Sequence, residues 1–452
     1  MLTGQNGILN RATEAKEKNK NANEKEKIEL IITSLSLKNY NRIEIGDLEE
    51  ACNNEFGIEK VKVIDNNDNT FIVKSIVNAK EYYIDSDMTL YDNVKIINSE
   101  EEFVEFRNEV NNGNGFDGSY IILNKDIYLE NNNEWIPIGI YENDSNLRAF
   151  NGIFDGKNHY IQNINISNDL EYQGLFGYNC GIVKNVIISN GSINSKQRSG
   201  GLCGLNSGEI INCINESVII DGKGVGIAGV VGKNEGTIKK CKNYIDIDAR
   251  IGRYIGGIAG VSIGNGIIMD CQNYGNITAK DMVGGCVGQI GENSKIEESV
   301  NVGIITATNG STGSYVGGIA GQCYGKINYC YNIGDISGNG LSIGGISGEV
   351  LGGEISNSYN LGDIINVNSV KVYGGICAGC YKNGNIINCY YINNVNKGIY
   401  NFSEQSKIEI YVKNEDEMKK ESFVNLLNKS GNKFIKDEEL VNDGYPILKW
   451  QI

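Results

Sequence analysis

Histidine and proline are almost missing from this chain. Among 452 residues there is one histidine, His159, and there are two prolines, Pro137 and Pro446. A single histidine excludes the HExxH pair of a zinc protease, and a Ser-His-Asp triad could draw only on His159. So little proline excludes collagen-like and Pro-rich disordered chains. Positive charge is also in short supply, with 41 Lys and Arg against 56 Asp and Glu. A net charge of −15 without a basic patch speaks against nucleic acid as a partner. No window approaches the roughly 18 apolar residues that a membrane span needs. No signal peptide is visible.

Glycine is what the chain has in excess. It makes up 58 of 452 residues, about 13%, where average usage is roughly 7%. Many glycines and few prolines suit tight turns between hydrogen-bonded strands. The glycines also recur in register. The anchor is Gly-Gly, an apolar residue, a small residue and Gly. It stands at 200–204, 256–260, 284–288, 317–321 and 344–348. Single-glycine versions occur at Gly174-Leu175-Phe176-Gly177 and Gly226-Ile227-Ala228-Gly229, and the last copy is Gly374-Gly375-Ile376-Cys377-Ala378. The key glycine of each copy falls at 174, 201, 226, 257, 285, 318, 345 and 375. So short and steady a recurrence is the mark of a solenoid, and it falls below the roughly 40 residues of a propeller blade.

Each anchor leads to a second phrase, complete at Ile327, Cys330, Asn332, Gly334 and Ile336. Cys213, Cys241, Cys271, Ser299, Cys330, Ser358 and Cys389 share its Cys position; Asn215, Asn243, Asn273, Asn301, Asn332 and Asn360 share its Asn position, with Tyr391 in the last copy. These segments are too short and too rich in glycine for helices. If each unit is one coil, equal positions stack about 4.8 Å apart. The expected fold is a right-handed parallel β-helix with an aliphatic column (Ile238, Ile268, Ile296, Ile327, Ile355), a narrow Cys/Ser corner and an Asn ladder. Length variation then falls in outward loops such as 250–254 and 308–314. The twelve cysteines read as small buried residues, because a disulfide partner could not be exchanged for Ser or Ala so freely.

The flanks read differently. Residues 1–36 hold a charged helix, polar first and apolar from Ile28 onward. Residues 37–97 form a small α+β unit, with a helix over 47–56 and strands over 60–64, 70–76 and 80–84. Residues 98–150 begin and cap the solenoid, with a helix over 99–112 that has Ser99 as N-cap and Glu102 in its first turn. The repeats run over 151–395. Residues 396–452 close the far end with a helix at 422–428 and a strand near the Pro446 turn.

Four features invite a chemical reading. His159 could act as a base beside Asp155, but no Ser or Cys is placed next to it, and it reads as a turn residue. Cys377 and Cys380 form a CxxC; redox or zinc chemistry, with Cys323 and Cys389 as further ligands, competes with the small-residue role that Cys377 shares with Ala259 and Ala320. Asp246 and Asp248 lie two apart and could face one way on a strand, as in a glycan-cleaving site; a solvated face is the plainer reading. Tyr244, Tyr274, Tyr331 and Tyr359 flank the Asn ladder and would form an aromatic stripe for sugars or peptides if exposed; the alternative is a half-buried column. No catalytic, metal-binding or cofactor-binding residue is assigned.

The anchors resemble the GLUG motif of bacterial surface proteins, as does the phrase Phe150-Asn151-Gly152-Ile153-Phe154-Asp155-Gly156-Lys157-Asn158-His159. The resemblance spans about 120–395. It implies a β-helix on the cell surface, often within adhesin-like or protease-bearing chains; no protease motif is present here. The segment Leu2–Leu9 with the charged helix after it resembles the part that follows the membrane helix in type IV pilin-like proteins of Gram-positive bacteria. That resemblance makes residues 37–97 a pilin-like head, with pilus subunits as partners and membrane anchoring only through a missing N-terminal helix. The prepilin cleavage site is absent, so Met1 is expected to be internal to a longer gene or to begin a trimmed chain. The expected function is a non-enzymatic adhesin on the cell surface or outside the cell, binding glycan or protein. The alternative is a β-helix polysaccharide lyase or hydrolase.

Overall fold

The computed structural model describes residues 23–38, 42–65, 69–130, 134–143, 146–167, 170–308, 314–338, 342–365, 372–392 and 395–452. The first half of the charged segment, 1–22, lies outside the described residues. The chain divides into two units, residues 1–96 with 118–122, and residues 97–117 with 123–452.

In the first unit a helix over residues 23–38 and the helix Ile45–Phe56 pack on an antiparallel sheet of Val61–Asp65, Phe71–Ser75, Lys80–Ile84 and Leu90–Tyr91. Ile28, Ile32, Leu48, Cys52, Val73 and Tyr82 form its core. Glu24 is buried with them. Its carboxylate accepts hydrogen bonds from Ser75 Oγ (2.7 Å), Asn78 Nδ2 (2.6 Å) and the Tyr82 hydroxyl (3.0 Å), which supplies what a buried charge requires.

The second unit is a parallel β-helix. A coil contains up to five short strands, for instance Lys326–Asn328, Tyr331–Asn332, Ile336–Gly338, Ser342–Gly344 and Ser347–Leu351. Each strand pairs in parallel with its equivalent one coil on, and one face alone carries nine such strands in sequence order. The register makes Val183, Ile210, Ile238, Ile268, Ile296, Ile327, Ile355 and Ile386 a single column, fully buried throughout. Burying each of these side chains contributes about 1.5–3 kcal/mol.

The Cys/Ser position follows a sharp corner. The residue before it is left-handed in every coil, at Asn185, Asn212, Lys240, Asp270, Glu298, Tyr329, Asn357 and Asn388, with φ between 48° and 56°. The side chain after the corner donates to the carbonyl two residues back. Cys271 does so at 3.1 Å, and Ser299 and Ser358 do so at 2.8 and 2.7 Å. Cys and Ser therefore interchange because both are small donors, not only because both are small. All twelve cysteines are free.

The Asn ladder runs from Asn243 to Asn360. Nδ2 of Asn243, Asn273, Asn301 and Asn332 donates to Oδ1 of the next asparagine at 2.7–2.9 Å. Asn215 does not join; its amide turns to the carbonyls of Val218 and Gly229. The ladder explains the anchor. Its second glycine lies flat against an asparagine side chain, so that a Cβ on Gly257, Gly318 or Gly345 would sit 2.1–2.4 Å from an atom of Asn273, Asn332 or Asn360. In the last coil Tyr391 replaces the asparagine, and its ring lies on Gly375.

The same register corrects one anchor. Ile227 pairs with Ile255 and Ala228 with Gly256, so Gly229, not Gly226, is the equivalent of Gly257. Gly229 meets the Asn243 side chain, whereas Gly226 lies within the strand Ile219–Ala228 with φ +78°. With that change the steps from Gly201 to Gly229 and from Gly229 to Gly257 become equal.

The helix Glu100–Asn111, capped by Ser99 Oγ on the Glu102 amide (3.3 Å), closes the start of the solenoid. Phe103 stacks on Trp135 at 5.3 Å, and Phe106 on Phe154 at 5.7 Å. At the far end Ile399–Phe402 and Ile408–Lys413 add the last strands. Residues 414–452 do more than cover that end. They return along the side of the solenoid, through the helices Glu415–Met418 and Glu421–Leu427 and the pair Phe434–Ile435 with Ile447–Leu448, until the Trp450 indole donates to the Glu298 carbonyl at 2.8 Å.

Candidate functional site

The inward columns absorb most chemistry-bearing residues, so ligand contacts must come from the outward faces. The four tyrosines do not form one stripe. Tyr244 and Tyr274 are stacked at 4.6 Å and 4°, with Tyr244 43% exposed and Tyr274 half-buried. Tyr331 and Tyr359 are stacked at 4.9 Å and 3°, but both are buried beneath the returning C-terminal segment. The Tyr331 hydroxyl donates to Gln451 Oε1 at 2.8 Å, and the Tyr359 hydroxyl bonds to the Pro446 carbonyl and accepts from Asn442 Nδ2. The sequence could not show this, because the segment that covers the pair lies far further along the chain. Burial, with the Tyr244 ring next to it, pushes the Tyr274 hydroxyl up to about 12.

Just past Tyr244 and Tyr274 a groove of about 630 Å³ opens on the outer face. Asp221, Asp246, Asp248, Arg250, Asn276 and Thr278 line it, with Ile219 and Ile251 at its apolar margins. Both aspartates singled out in the sequence are therefore here, joined by Asp221 and Arg250, which the sequence pattern did not mark. Their roles are already defined. Asp246 Oδ1 accepts from the Asn276 amide at 2.7 Å, Asn276 Oδ1 from the Ile304 amide at 2.8 Å, and Asp335 does the same for Asp363 at 2.9 Å. This outer column thus caps backbone groups between coils. Asp248 takes both its oxygens to Arg250 Nε at 3.0 Å, an exposed pair that contributes at most about 1 kcal/mol.

His159 Nδ1 lies 2.9 Å from Asp126 Oδ1 rather than beside Asp155. Asp155 instead caps the Lys157 amide and holds Asn185 Nδ2 at 2.9 Å. Cys377 and Cys380 are buried in the strand Cys377–Tyr381, where Cys377 pairs in register with Ser347. Burial pushes both thiols up. Among the described residues no group of three His, Cys, Asp or Glu is placed to hold a metal ion. A second asparagine ladder escaped the sequence reading. Asn179, Asn206 and Asn234 bond in series at 2.8 and 2.9 Å and end on Ser262 Oγ. Its signal was present in the Asn-x-Gly triplets at 179–181, 206–208 and 234–236.

No family model matches the chain, and no curated protein matches it. Among solved structures it is similar to a Bacteroides ovatus protein named as a "putative immunoglobulin A1 protease", with 20% identity and a TM-score of 0.42 over 78% of this chain and 92% of that one. A likeness at that level carries no argument about activity.

Proposed function

We propose that this is a non-enzymatic bacterial cell-surface or pilus-associated protein that binds a glycan or protein ligand through an outward face of its β-helix. The observation that carries the reading is the open groove at Asp221–Thr278 beside the Tyr244–Tyr274 pair. It combines apolar margins and fixed polar groups on a rigid scaffold, with the exposed Tyr244 ring two residues before Asp246 in the chain. Two of its three carboxylates are committed, Asp246 to the Asn276 backbone amide and Asp248 to Arg250, which favours holding a ligand over acid–base work. The GLUG-like repeat and the pilin-like start support the surface location. The test is binding of the intact chain to glycan arrays and immobilised extracellular proteins. Tyr244→Ala and Arg250→Ala should each weaken binding at least tenfold; binding unchanged in both would overturn the assignment of the face.

The second reading is a glycan-active enzyme, favoured by three aspartates and an arginine in one groove. Release of unsaturated or reducing ends from a polyuronate, abolished in Asp248→Asn, would establish it and overturn the first.

A further inference from the structure

The outer face of the nine-stranded sheet carries a second feature, confined to three coils. Gln289, Gln322 and Glu349 are in register on successive strands. Gln289 Nε2 donates to Gln322 Oε1 at 2.9 Å, and Gln322 Nε2 donates to Glu349 Oε2 at 3.0 Å. The Tyr315 hydroxyl bonds the same carboxylate from the strand Tyr315–Gly317, one coil earlier. On the opposite side Tyr324 and Tyr381 occupy the next column, two coils apart, and the Tyr381 ring folds over Gly379, the position that follows Glu349. The result is a polar row running along the solenoid, with Gln289 and Glu349 partly exposed, Gln322 buried between them, and half-buried tyrosine rings at its borders.

The fold does not require this row. In earlier coils the same column holds Tyr178, Leu205, Lys233 and Val261. The inward ladder differs, since it keeps asparagine in coil after coil. The amides and carboxylate therefore appear only where tyrosines also flank them. A peptide is a poor fit, because the sheet's backbone groups are paired between coils and offer no free edge for strand addition. Side-chain amides in a line with aromatic borders match a hydroxyl-rich rigid polymer. Glu349 in the floor disfavours an anionic one. Burial raises the Glu349 carboxyl, consistent with a partly enclosed floor.

We infer that this trough, with Gln289, Gln322 and Glu349 as floor and Tyr315, Tyr324 and Tyr381 as borders, binds an extended neutral polysaccharide lying along the solenoid axis. The inference rests on the surface-binding reading above and adds a second face, separate from the groove. The test is calorimetry of the intact chain with cellohexaose, xylohexaose, chitohexaose and hexagalacturonate. At least one neutral hexasaccharide should bind, and hexagalacturonate should not. Gln289→Leu and Tyr324→Ala should each weaken binding tenfold or more with the thermal unfolding midpoint held within a few degrees, while Tyr128→Ala, an exposed ring outside both faces, should leave it unchanged. Loss in Tyr244→Ala alone would overturn the trough and leave the groove reading standing. Failure of every neutral hexasaccharide to bind the unaltered chain would overturn the trough as well; binding to an extracellular protein instead would preserve the surface-binding reading without it.

Discussion

Gly285 and Asn301 share one space: a Cβ on Gly285 would lie 2.2 Å from Asn301 Cγ. The Gly-Gly signature and the asparagine ladder are thus two halves of one contact, separate in the chain and joined across the coil. Asn301 is fixed further by its amide, which donates to Asn332 Oδ1 at 2.7 Å and to the Gly303 carbonyl at 2.8 Å.

This contact predicts coupled mutations. Gly318→Ala should destabilise the solenoid by about 2–4 kcal/mol, because the methyl group displaces the buried Asn332 amide. Asn332→Ser should cost about 1–3 kcal/mol through groups left unbonded. The double variant should cost less than the sum, since the smaller side chain relieves the Asn332 contact, while the Gly345 carbonyl, 2.3 Å from the same Cβ, keeps part of the cost in place. Denaturant unfolding of the four proteins measures this; strict additivity would contradict the shared space.

Cysteine labelling should separate packing from reactivity. Cys180 alone among the twelve is exposed. Burial nonetheless raises its thiol, so alkylation should be slow at neutral pH and accelerate as pH rises. Mass spectrometry of the native protein after brief alkylation should show one adduct, and more only after unfolding. Rapid native labelling of Cys377 or Cys380 would revive a redox reading of the CxxC.

The C-terminal segment should detach in alkali. Burial holds the Tyr359 hydroxyl well above its ordinary range, and Tyr331 is raised for the same reason. A raised folded value contributes stability that is full below the unfolded value near 10 and is lost as pH climbs toward the folded one. Tyrosine absorbance and Trp450 emission should therefore change together above about pH 10. Tyr359→Phe, which removes the bonds to Pro446 and Asn442, should cost about 1–2 kcal/mol and make the segment easier to release.

In the first unit, Glu24→Ala should free the helix over 23–38 from the sheet. The change strands Ser75, Asn78 and Tyr82, at a cost of about 2–4 kcal/mol. Burial alone would raise Asp92, but hydrogen bonds from Lys25 and Lys80 outweigh it and hold the carboxyl below its ordinary value. A lowered folded value means stability that is present above the unfolded value and lost as pH falls through the folded one. Hydrogen exchange of the helix amides should rise in Glu24→Ala, and in the unaltered chain only at acid pH below the usual carboxylate range.

The repeat by itself determined the coil. A short and steady period, short strands and glycine corners leave a parallel solenoid as the arrangement that stacks isoleucine on isoleucine and asparagine on asparagine, because backbone pairing repeats at one spacing in every coil. It also placed the corner cysteines inside, since Cys and Ser exchange at a buried position; exposed Cys180 is the exception to the reading of all twelve as buried. The sequence misplaced one anchor, taking Gly226 for Gly229, because a left-handed glycine within a strand and a glycine under an amide look alike as letters. What covers the outside was decided only in three dimensions. Tyr331 and Tyr359 sit in the same motif position as each other, yet their burial depends on residues 434–451 folding back along the side of the coils. Asp221 joins Asp246 and Asp248, and Gln289 joins Glu349 through Gln322, only because the coil register brings residues distant in the chain into neighbouring rows. Inward positions obey a rule that every coil must satisfy; outward positions are free to vary, and their neighbours are set by the register and the returning chain.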